Sequence, residues 1–396
     1  MTTCARHPAL IVLAIWGAGL GAAAQFGKVG VIFQTIRALY GGQAGPAGLG
    51  LLVSVVGVVG LIFGTTAGLV VERVGLRRML VAGLVLGAAL SALQATLPAY
   101  PVLLGLRALE GLSQLAIVVA GPVLIAQAAT PRWQGLSMSL WASFFGVSLT
   151  ATALIAPPLV ARFGVQGLFL AHAGWMAAFA LLLWWLLPAD PPGQARPLRL
   201  ADLAAQHLAI YASPRVAAPA AGFLFYTLSY VAVITLLPPL AGTQAEAIAI
   251  LMPLASIAAS LTLGVWLLRV VPAVRLVQTG FALGLIAVLA MVAVWGSAAG
   301  LGAALVLGAA LGLVQGGSFA AIPQLNATAE DRARAAGAVA QLGNLGTASG
   351  TPILALLIAG QGLAGVPAFV APLCAGGIAM HAWMAARRRR ATVRPG

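Results

Sequence analysis

The stretch Gly68-Leu69-Val70-Val71-Glu72-Arg73-Val74-Gly75-Leu76-Arg77-Arg78 decides the fold of this chain. Its four charged side chains stand between two long apolar segments. Charged side chains are strongly disfavoured in the hydrocarbon of a bilayer, and irregular backbone exposed to lipid does not occur there. We therefore interpret the stretch as a tight loop at a membrane surface that joins two spanning helices.

The composition agrees with this interpretation. The chain has 396 residues, of which 61% are hydrophobic and 7% are charged, and its mean hydropathy is +1.04. Soluble domains carry roughly a quarter charged residues, so we expect a polytopic membrane protein. A net charge of +14 would suit a nucleic-acid partner if the basic residues formed one water-facing surface, but they are scattered between apolar runs. Cys4 and Cys374 lie at opposite ends of the chain, and we expect neither a metal nor another cofactor.

Apolar segments of about 20 residues or more predict twelve spanning helices. The first six are Ala9–Phe33, Ala47–Val71, Met79–Leu97, Pro101–Ala126, Leu136–Val160 and Leu168–Leu187. The second six are Ala217–Leu240, Ala247–Leu268, Leu276–Trp295, Ala299–Ile322, Ala336–Ile358 and Val366–Met384. This pattern predicts an N-terminal six-helix bundle over 1–187, a cytoplasmic linker over 188–216, a C-terminal six-helix bundle over 217–386 and a basic cytoplasmic tail over 387–396. Helical spacing of apolar residues in the linker indicates a short helix on the membrane surface.

The positive charges predict the orientation, because Lys and Arg in short loops stay on the cytoplasmic side. With the N-terminus inside, 17 of the 21 basic residues are cytoplasmic. Only Arg37 and Arg162 fall outside, and only Lys28 and Arg107 fall within spans. We therefore expect a protein of the plasma (inner) membrane with both termini in the cytoplasm.

The spacing in the opening stretch, G-x-x-x-acid-R-x-G-x-basic-basic, resembles the loop signature of the major facilitator superfamily of transporters. Arg107-Ala108-Leu109-Glu110-Gly111 is similar to the R-x-x-x-G element of that family's fourth span. The resemblance implies two six-helix bundles related by pseudo-two-fold symmetry, which work by alternating access. The glycine-rich element of family antiporters has only Ala156-Pro157-Pro158-Leu159-Val160-Ala161 as its counterpart, which argues against proton antiport.

Internal similarity between the two halves supports such a repeat. Gly111-Leu112-Ser113-Gln114 and Gly312-Leu313-Val314-Gln315 share G-L-x-Q at an offset of 201 residues, and Pro122 and Pro323 follow at the same offset. By resemblance, the loop after the second span is a cytoplasmic latch that holds one conformation. Its residues are Gly68, Glu72, Arg73, Gly75, Arg77 and Arg78.

The fourth span carries the strongest candidate site. Arg107, Glu110 and Gln114 are spaced to share one helix face. A charge inside a span costs at least ~2.5–3.5 kcal/mol on insertion scales, so each one is a functional hypothesis. In the functional interpretation Glu110 exchanges a proton and Arg107 contacts substrate. In the structural alternative the two form a permanent ion pair.

Further polar candidates for the substrate and proton pathway lie on four other spans. They are Gln25 and Lys28 in the first span, Tyr226 and Tyr230 in the seventh, Gln315 in the tenth, and Gln341 and Asn344 in the eleventh. The two tyrosines can equally be packing residues, and Lys28 can instead extend toward the outer surface. If Lys28 and Arg107 both face the cavity against Glu110, their positive excess favours an anionic or zwitterionic solute.

The sequence thus predicts a monomeric secondary transporter, not an enzyme, that moves a small organic solute across the bilayer with protons as coupling ion. One alternative is a drug efflux pump of the same fold. Another is a non-transporting membrane receptor or scaffold, since fold alone does not define function.

Overall fold

The computed structural model describes residues 8–190 and 202–393, and over these ranges the chain is helical with no β-strand. The first helices are α1 (Pro8–Val31), α2 (Phe33–Tyr40), α3 (Pro46–Val74), α4 (Leu76–Gln94), α5 (Tyr100–Ala128) and α6 (Gln134–Leu186). The others are α7 (Leu203–Ala212), α8 (Ala217–Leu236), α9 (Ala245–Ala259), α10 (Val265–Leu267), α11 (Ala273–Val294), α12 (Ala298–Leu325), α13 (Ala329–Gln361) and α14 (Gly365–Val393).

Ten apolar helical segments of the described chain are long enough to cross a membrane, and two of them are long enough to cross it twice. The 53-residue segment is α6, which turns at Gly164 with φ 70°. The 62-residue segment contains α13 and α14, which are separated at Gly362 with φ 58°. Positive φ is readily adopted only by glycine, so each turn divides its segment into two spans. The all-α fold class and the count of twelve spanning helices are confirmed.

The eighth span is interrupted. Between α9 and α10, Ser260–Gly264 forms a π-helical turn, so the predicted helix Ala247–Leu268 consists of three short pieces. Single π turns inside α-helices are uncommon and cause local bends.

The predicted linker contains α7, the short helix expected there. Ile210 is buried, whereas Leu208 is 72% exposed, which suits a helix with one face on the protein and another toward lipid. Residues 191–201 of the linker and 394–396 of the tail lie outside the described residues.

The described residues form two compact units, 8–137 with 144–190, and 138–143 with 202–393. In the first unit α5 packs against α1, α3 and α4, over a core that includes Ile36, Leu52 and Phe169. In the second unit α12 packs against α9 and α11, and α8 packs against α13. Large apolar side chains also lie on the outside, as expected for a surface that faces lipid.

Candidate functional site

The first unit brings five polar side chains from four helices together in its interior. They are Lys28 of α1, Ser91 of α4, Arg107 and Glu110 of α5, and His172 of α6, and we call them the Lys28 cluster. All five are buried. The predicted residues Lys28, Arg107 and Glu110 are therefore in direct contact, and Lys28 does not extend to the surface.

Glu110 is held between two cations. Lys28 Nζ lies 2.5 Å from Glu110 Oε1, and Arg107 Nη1 donates to the other carboxylate oxygen, Oε2. Arg107 Nε donates to the backbone carbonyl of Leu52 at 2.8 Å. Two positive groups thus share one negative group, which leaves one positive charge in excess.

A close approach of two helices makes the Arg107 contact with Leu52 possible. A Cβ atom built on Gly111 would lie 2.6 Å from the Val56 carbonyl oxygen, so only glycine lets α3 and α5 come this close. Leu52 is one turn before Val56 on α3, and its carbonyl oxygen therefore lies within reach of the Arg107 side chain.

Ser91 and His172 complete the surroundings of Lys28. Lys28 Nζ lies 2.9 Å from Ser91 Oγ and 3.3 Å from His172 Nδ1, and 5.2 Å from the centroid of the Phe169 ring. The other ring nitrogen of His172, Nε2, lies 3.0 Å from the Gly21 carbonyl oxygen. The sequence favours a packing role for His172 and does not indicate Ser91, because periodicity within one helix does not reveal which neighbouring helix a side chain faces.

Gln25 and Gln114 lie in the same unit and carry unused hydrogen-bonding capacity. Gln25 Nε2 donates to Ser113 Oγ at 2.9 Å. Gln25 Oε1, Gln114 Oε1 and Arg107 Nη2 are buried and have no hydrogen-bond partner among the described residues. Buried polar atoms are usually bonded, so these three atoms are exceptions in the interior of the first unit.

The candidates of the second unit do not form a comparable cluster. Tyr226 and Tyr230 of α8 are buried in its apolar core with their rings stacked 5.0 Å apart. Gln315 is buried on α12. Gln341 Oε1 accepts from Tyr211 Oη of α7 at 2.5 Å, and Asn344 Nδ2 donates to the Ala340 carbonyl of its own helix at 2.8 Å.

Arg77 and Arg78 of the predicted latch lie in the first turn of α4, and the Asp190 side chain caps that helix. The backbone N–H groups of Arg77 and Arg78 donate to the two Asp190 carboxylate oxygens at 3.0 and 2.9 Å. The Arg77 guanidinium lies over the Trp184 ring, 4.1 Å from its centroid. Gly75 has φ 94°, and a Cβ atom there would lie 2.3 Å from Asp190 Cγ. No local pattern in the chain pointed to Asp190, because it lies more than 100 residues from the loop that it caps.

The remaining latch residues lie at the end of α3. Gly68 is buried, and Arg73 Nη1 donates to the Leu69 carbonyl at 2.5 Å. The side chain of Glu72 lies outside the described part of the structure. Its role in the latch therefore stays a prediction.

Twelve spanning helices, with a buried charged cluster inside the first unit, are typical of a secondary transporter. The sequence model of the Major Facilitator Superfamily matches residues 11–351, so the chain belongs to this family of membrane transporters. The family's members are transporters and not enzymes. A search of curated proteins found no match.

Several solved structures share the fold at low sequence identity. A variant of the Escherichia coli fucose:proton symporter FucP has a TM-score of 0.71 and 15% identity, over 96% of this chain and 99% of that one. The human organic anion transporter MFSD10 has a TM-score of 0.73 and 16% identity, over 96% and 100%. The proton:xylose symporter XylE has a TM-score of 0.74 and 15% identity, over 94% of both chains.

Proposed function

We propose that this protein moves a small organic anion or zwitterion across the membrane by alternating access, coupled to protons. One observation carries the proposal: Glu110, the single buried carboxylate of the described residues, is shared by Lys28 and Arg107, so the cluster has one positive charge in excess. An uncompensated charge away from water is unfavourable. A monoanion bound nearby would neutralise it.

The unpartnered atoms suit such a ligand. Arg107 Nη2 can donate to a carboxylate oxygen, and an arginine side chain recognises carboxylates well because its donors are planar and fixed. Gln25 Oε1 and Gln114 Oε1 can accept from the ammonium group of a zwitterion. We propose these three residues, with Lys28 and Glu110, as substrate and proton pathway residues of the first unit. We propose Tyr226, Tyr230, Gln315, Gln341 and Asn344 as pathway residues of the second unit.

The structural neighbours are compatible with this proposal. Two of them are described as proton symporters of sugars and one as an organic anion transporter. A sugar has no anionic group to pair with the cations of this cluster, and we therefore favour an anionic or zwitterionic substrate. We further propose a monomer in the inner membrane with both termini in the cytoplasm, where the excess of arginine lies.

The test uses the purified full-length protein in liposomes that contain a pH-sensitive dye. The added compounds are lactate, benzoate, alanine, xylose and tetraphenylphosphonium, each tested with wild type and with Glu110→Gln. Glu246→Gln is the matched control, because Glu246 is an exposed carboxylate in the first turn of α9. We expect lactate, benzoate or alanine to drive proton movement in wild type and in Glu246→Gln, and Glu110→Gln to reduce it.

Each other result has a definite meaning. Movement of xylose alone would overturn the substrate class, and movement of tetraphenylphosphonium alone would identify a drug transporter. Solute movement without protons would overturn the coupling. An unchanged rate in Glu110→Gln would show that the Arg107–Glu110 pair is structural.

A further inference from the structure

Arginine greatly outnumbers lysine in this chain. Of the 21 lysine and arginine residues, 20 are arginine, and Lys28 is the only lysine in the sequence. A guanidinium group keeps its proton under all conditions that proteins meet, whereas a buried ammonium group can release one. The only basic side chain of this kind therefore lies in the buried cluster.

The hydrogen bonds of the cluster define where its protons reside. The Lys28 ammonium has three hydrogens and three acceptors, which are Glu110 Oε1, Ser91 Oγ and His172 Nδ1. Ser91 has a single hydroxyl hydrogen, which it donates to the Phe169 carbonyl at 2.9 Å.

The hydrogen bonds of His172 define its tautomer. A carbonyl oxygen only accepts, so His172 Nε2 carries a hydrogen and donates it to Gly21 at 3.0 Å. In a neutral ring Nδ1 then presents a lone pair to Lys28 Nζ, 3.3 Å away. Ser91 Oγ lies 2.9 Å from Nδ1 but uses its hydrogen elsewhere, so Lys28 supplies the hydrogen that Nδ1 accepts.

We propose that the transported proton is bound at Lys28 Nζ and that His172 Nδ1 is its first acceptor. In this step the Nζ–H bond breaks with its electron pair left on nitrogen, and a new N–H bond forms with the Nδ1 lone pair. The positive charge moves from the ammonium to the imidazolium. When that proton is lost to water, Lys28 and His172 are both uncharged. The only charges left in the cluster are those of the Arg107–Glu110 ion pair, which sum to zero.

Charge balance favours Lys28 over Glu110 as the group that exchanges the proton. Both oxygens of Glu110 accept from cations, and protonation of Glu110 would leave two buried positive charges beside a neutral acid. Among the described residues, the charged or titratable neighbours of Lys28 are Arg107 and Glu110 of α5 and His172 of α6. From α4, Ser91 offers a hydroxyl group, which does not ionise at accessible pH.

This inference rests on the proposed function and makes it more specific. When Lys28 is protonated the cluster carries one positive charge, and when Lys28 is neutral the cluster carries none. A monoanion is therefore expected to bind together with the proton. The inferred transport is one proton per anion and moves no net charge.

A spectroscopic test needs no knowledge of the substrate. Because the chain has one lysine, protein grown with lysine labelled with ¹³C at Cε gives a single side-chain NMR signal. The full chain in lipid nanodiscs is titrated with acid and base over the range in which it stays folded. We expect the signal to change reversibly from the ammonium to the amine form as the pH rises.

His172→Gln tests the assigned acceptor, because glutamine is polar but does not take up a proton. We expect this variant to change the midpoint of the Lys28 transition by about one pH unit, which is tenfold in proton affinity. His381→Gln is the matched control, because His381 is also a buried histidine but lies on α14 of the second unit, and we expect no change. A Lys28 signal that stays ammonium over the whole working pH range of transport would overturn the proposal. An unmoved midpoint in His172→Gln would overturn the role of His172.

A transport measurement gives the second test. Lys28→Arg keeps a positive charge but fixes the proton. We expect the ratio of substrate-driven proton movement to substrate counterflow to fall by about tenfold or more in this variant. An unreduced ratio would overturn the proposal. If wild type moves none of the added compounds, the proposed function fails, while the NMR titration still decides whether Lys28 exchanges its proton.

Discussion

The two units use the same helix packing at equivalent positions of α5 and α12. A Cβ atom on Gly111 would lie 2.6 Å from the Val56 carbonyl oxygen, and one on Gly312 would lie 2.1 Å from the Ser256 carbonyl oxygen. Both glycines let a neighbouring helix approach closely, α3 in the first unit and α9 in the second. The repeated G-L-x-Q sequence is thus reflected in a repeated contact.

The side chains at equivalent positions of α5 and α12 differ in charge. At the offset of 201 residues, Arg107 corresponds to Gly308 and Glu110 to Leu311. Leu311 is buried in the apolar core of the second unit, and a Cβ atom on Gly308 would lie 2.8 Å from the Met252 carbonyl oxygen. In the first unit the corresponding turn of α3 instead offers the Leu52 carbonyl to Arg107. Helix packing is therefore independent of the charges, which only the first unit carries at these positions.

Glu110→Leu would give the first unit the residue that the second unit has at this position. It would leave Lys28 and Arg107 buried without a counter-charge, and we expect a loss of about 3–5 kcal/mol in the free energy of unfolding. Thermal unfolding in detergent measures this loss. The triple variant Lys28→Met, Arg107→Met, Glu110→Leu removes all three charges and should recover most of the stability while abolishing transport.

Leu311→Met is the control for a change of shape in the equivalent core, with an expected loss below about 1.5 kcal/mol. If Glu110→Leu alone were as stable as wild type, the charges would not be paired as the structure has them.

Gly111→Ala and Gly312→Ala test whether the packing is shared. Each added methyl group would overlap a backbone oxygen, and we expect both variants to lose about 1–3 kcal/mol of stability. Gly105→Ala on α5 and Gly302→Ala on α12 are matched controls, because a Cβ atom at either position meets nothing within 4 Å. Thermal unfolding of all four variants checks this. A large loss in only one unit would contradict the equivalence of the two contacts.

The sequence predicted the fold well because few structures can accommodate long apolar runs that are separated by short charged loops. Long apolar runs must be spanning helices in a bilayer, and charges such as Lys28, Arg107 and Glu110 must avoid lipid and find partners inside a bundle. That constraint made an internal partner for Arg107 and Glu110 predictable, but it left open whether Lys28 joins them, as it does in the structure. The turn of α6 at Gly164 also lies where the sequence places the connection between two spans.

The partners from other helices could not be predicted in the same way. His172 contacts Lys28 because the part of α6 that follows Gly164 places this side chain against α1 and α4. Helical spacing identifies one face of a helix but not the neighbour that it contacts. For the same reason the sequence did not indicate that the amide oxygen of Gln341 accepts from Tyr211 of the linker helix.

The helices of the third and ninth predicted spans, α4 and α11, are capped differently at their starts. The start of α4 has two backbone N–H groups bonded to the charged Asp190, whereas the start of α11 has one bond, from Ala273 N to Gln324 Oε1 at 2.8 Å. We expect Asp190→Ala to cost about 1–2 kcal/mol of stability, because it removes a charged cap. Gln324→Ala should cost less stability than Asp190→Ala. The loss for Asp190→Asn should lie between the losses for these two variants. Thermal unfolding gives the order, and a larger loss for Gln324→Ala would contradict it.

The smallest effect is expected at the linker helix, where Tyr211 makes a polar contact with a spanning helix of the second unit. Tyr211 Oη donates to Gln341 Oε1, and Tyr211→Phe should cost about 0.5–1.5 kcal/mol at neutral pH. Burial raises the pKa of Tyr211 from 10.0 to about 12. Since the folded state favours the neutral phenol, the stability that Tyr211 contributes is present below pH 10.0 and is lost as the pH rises toward about 12. Tyrosinate absorbance and unfolding at increasing pH should show this loss in wild type, and a loss of equal size in Tyr211→Phe would assign it to another tyrosine.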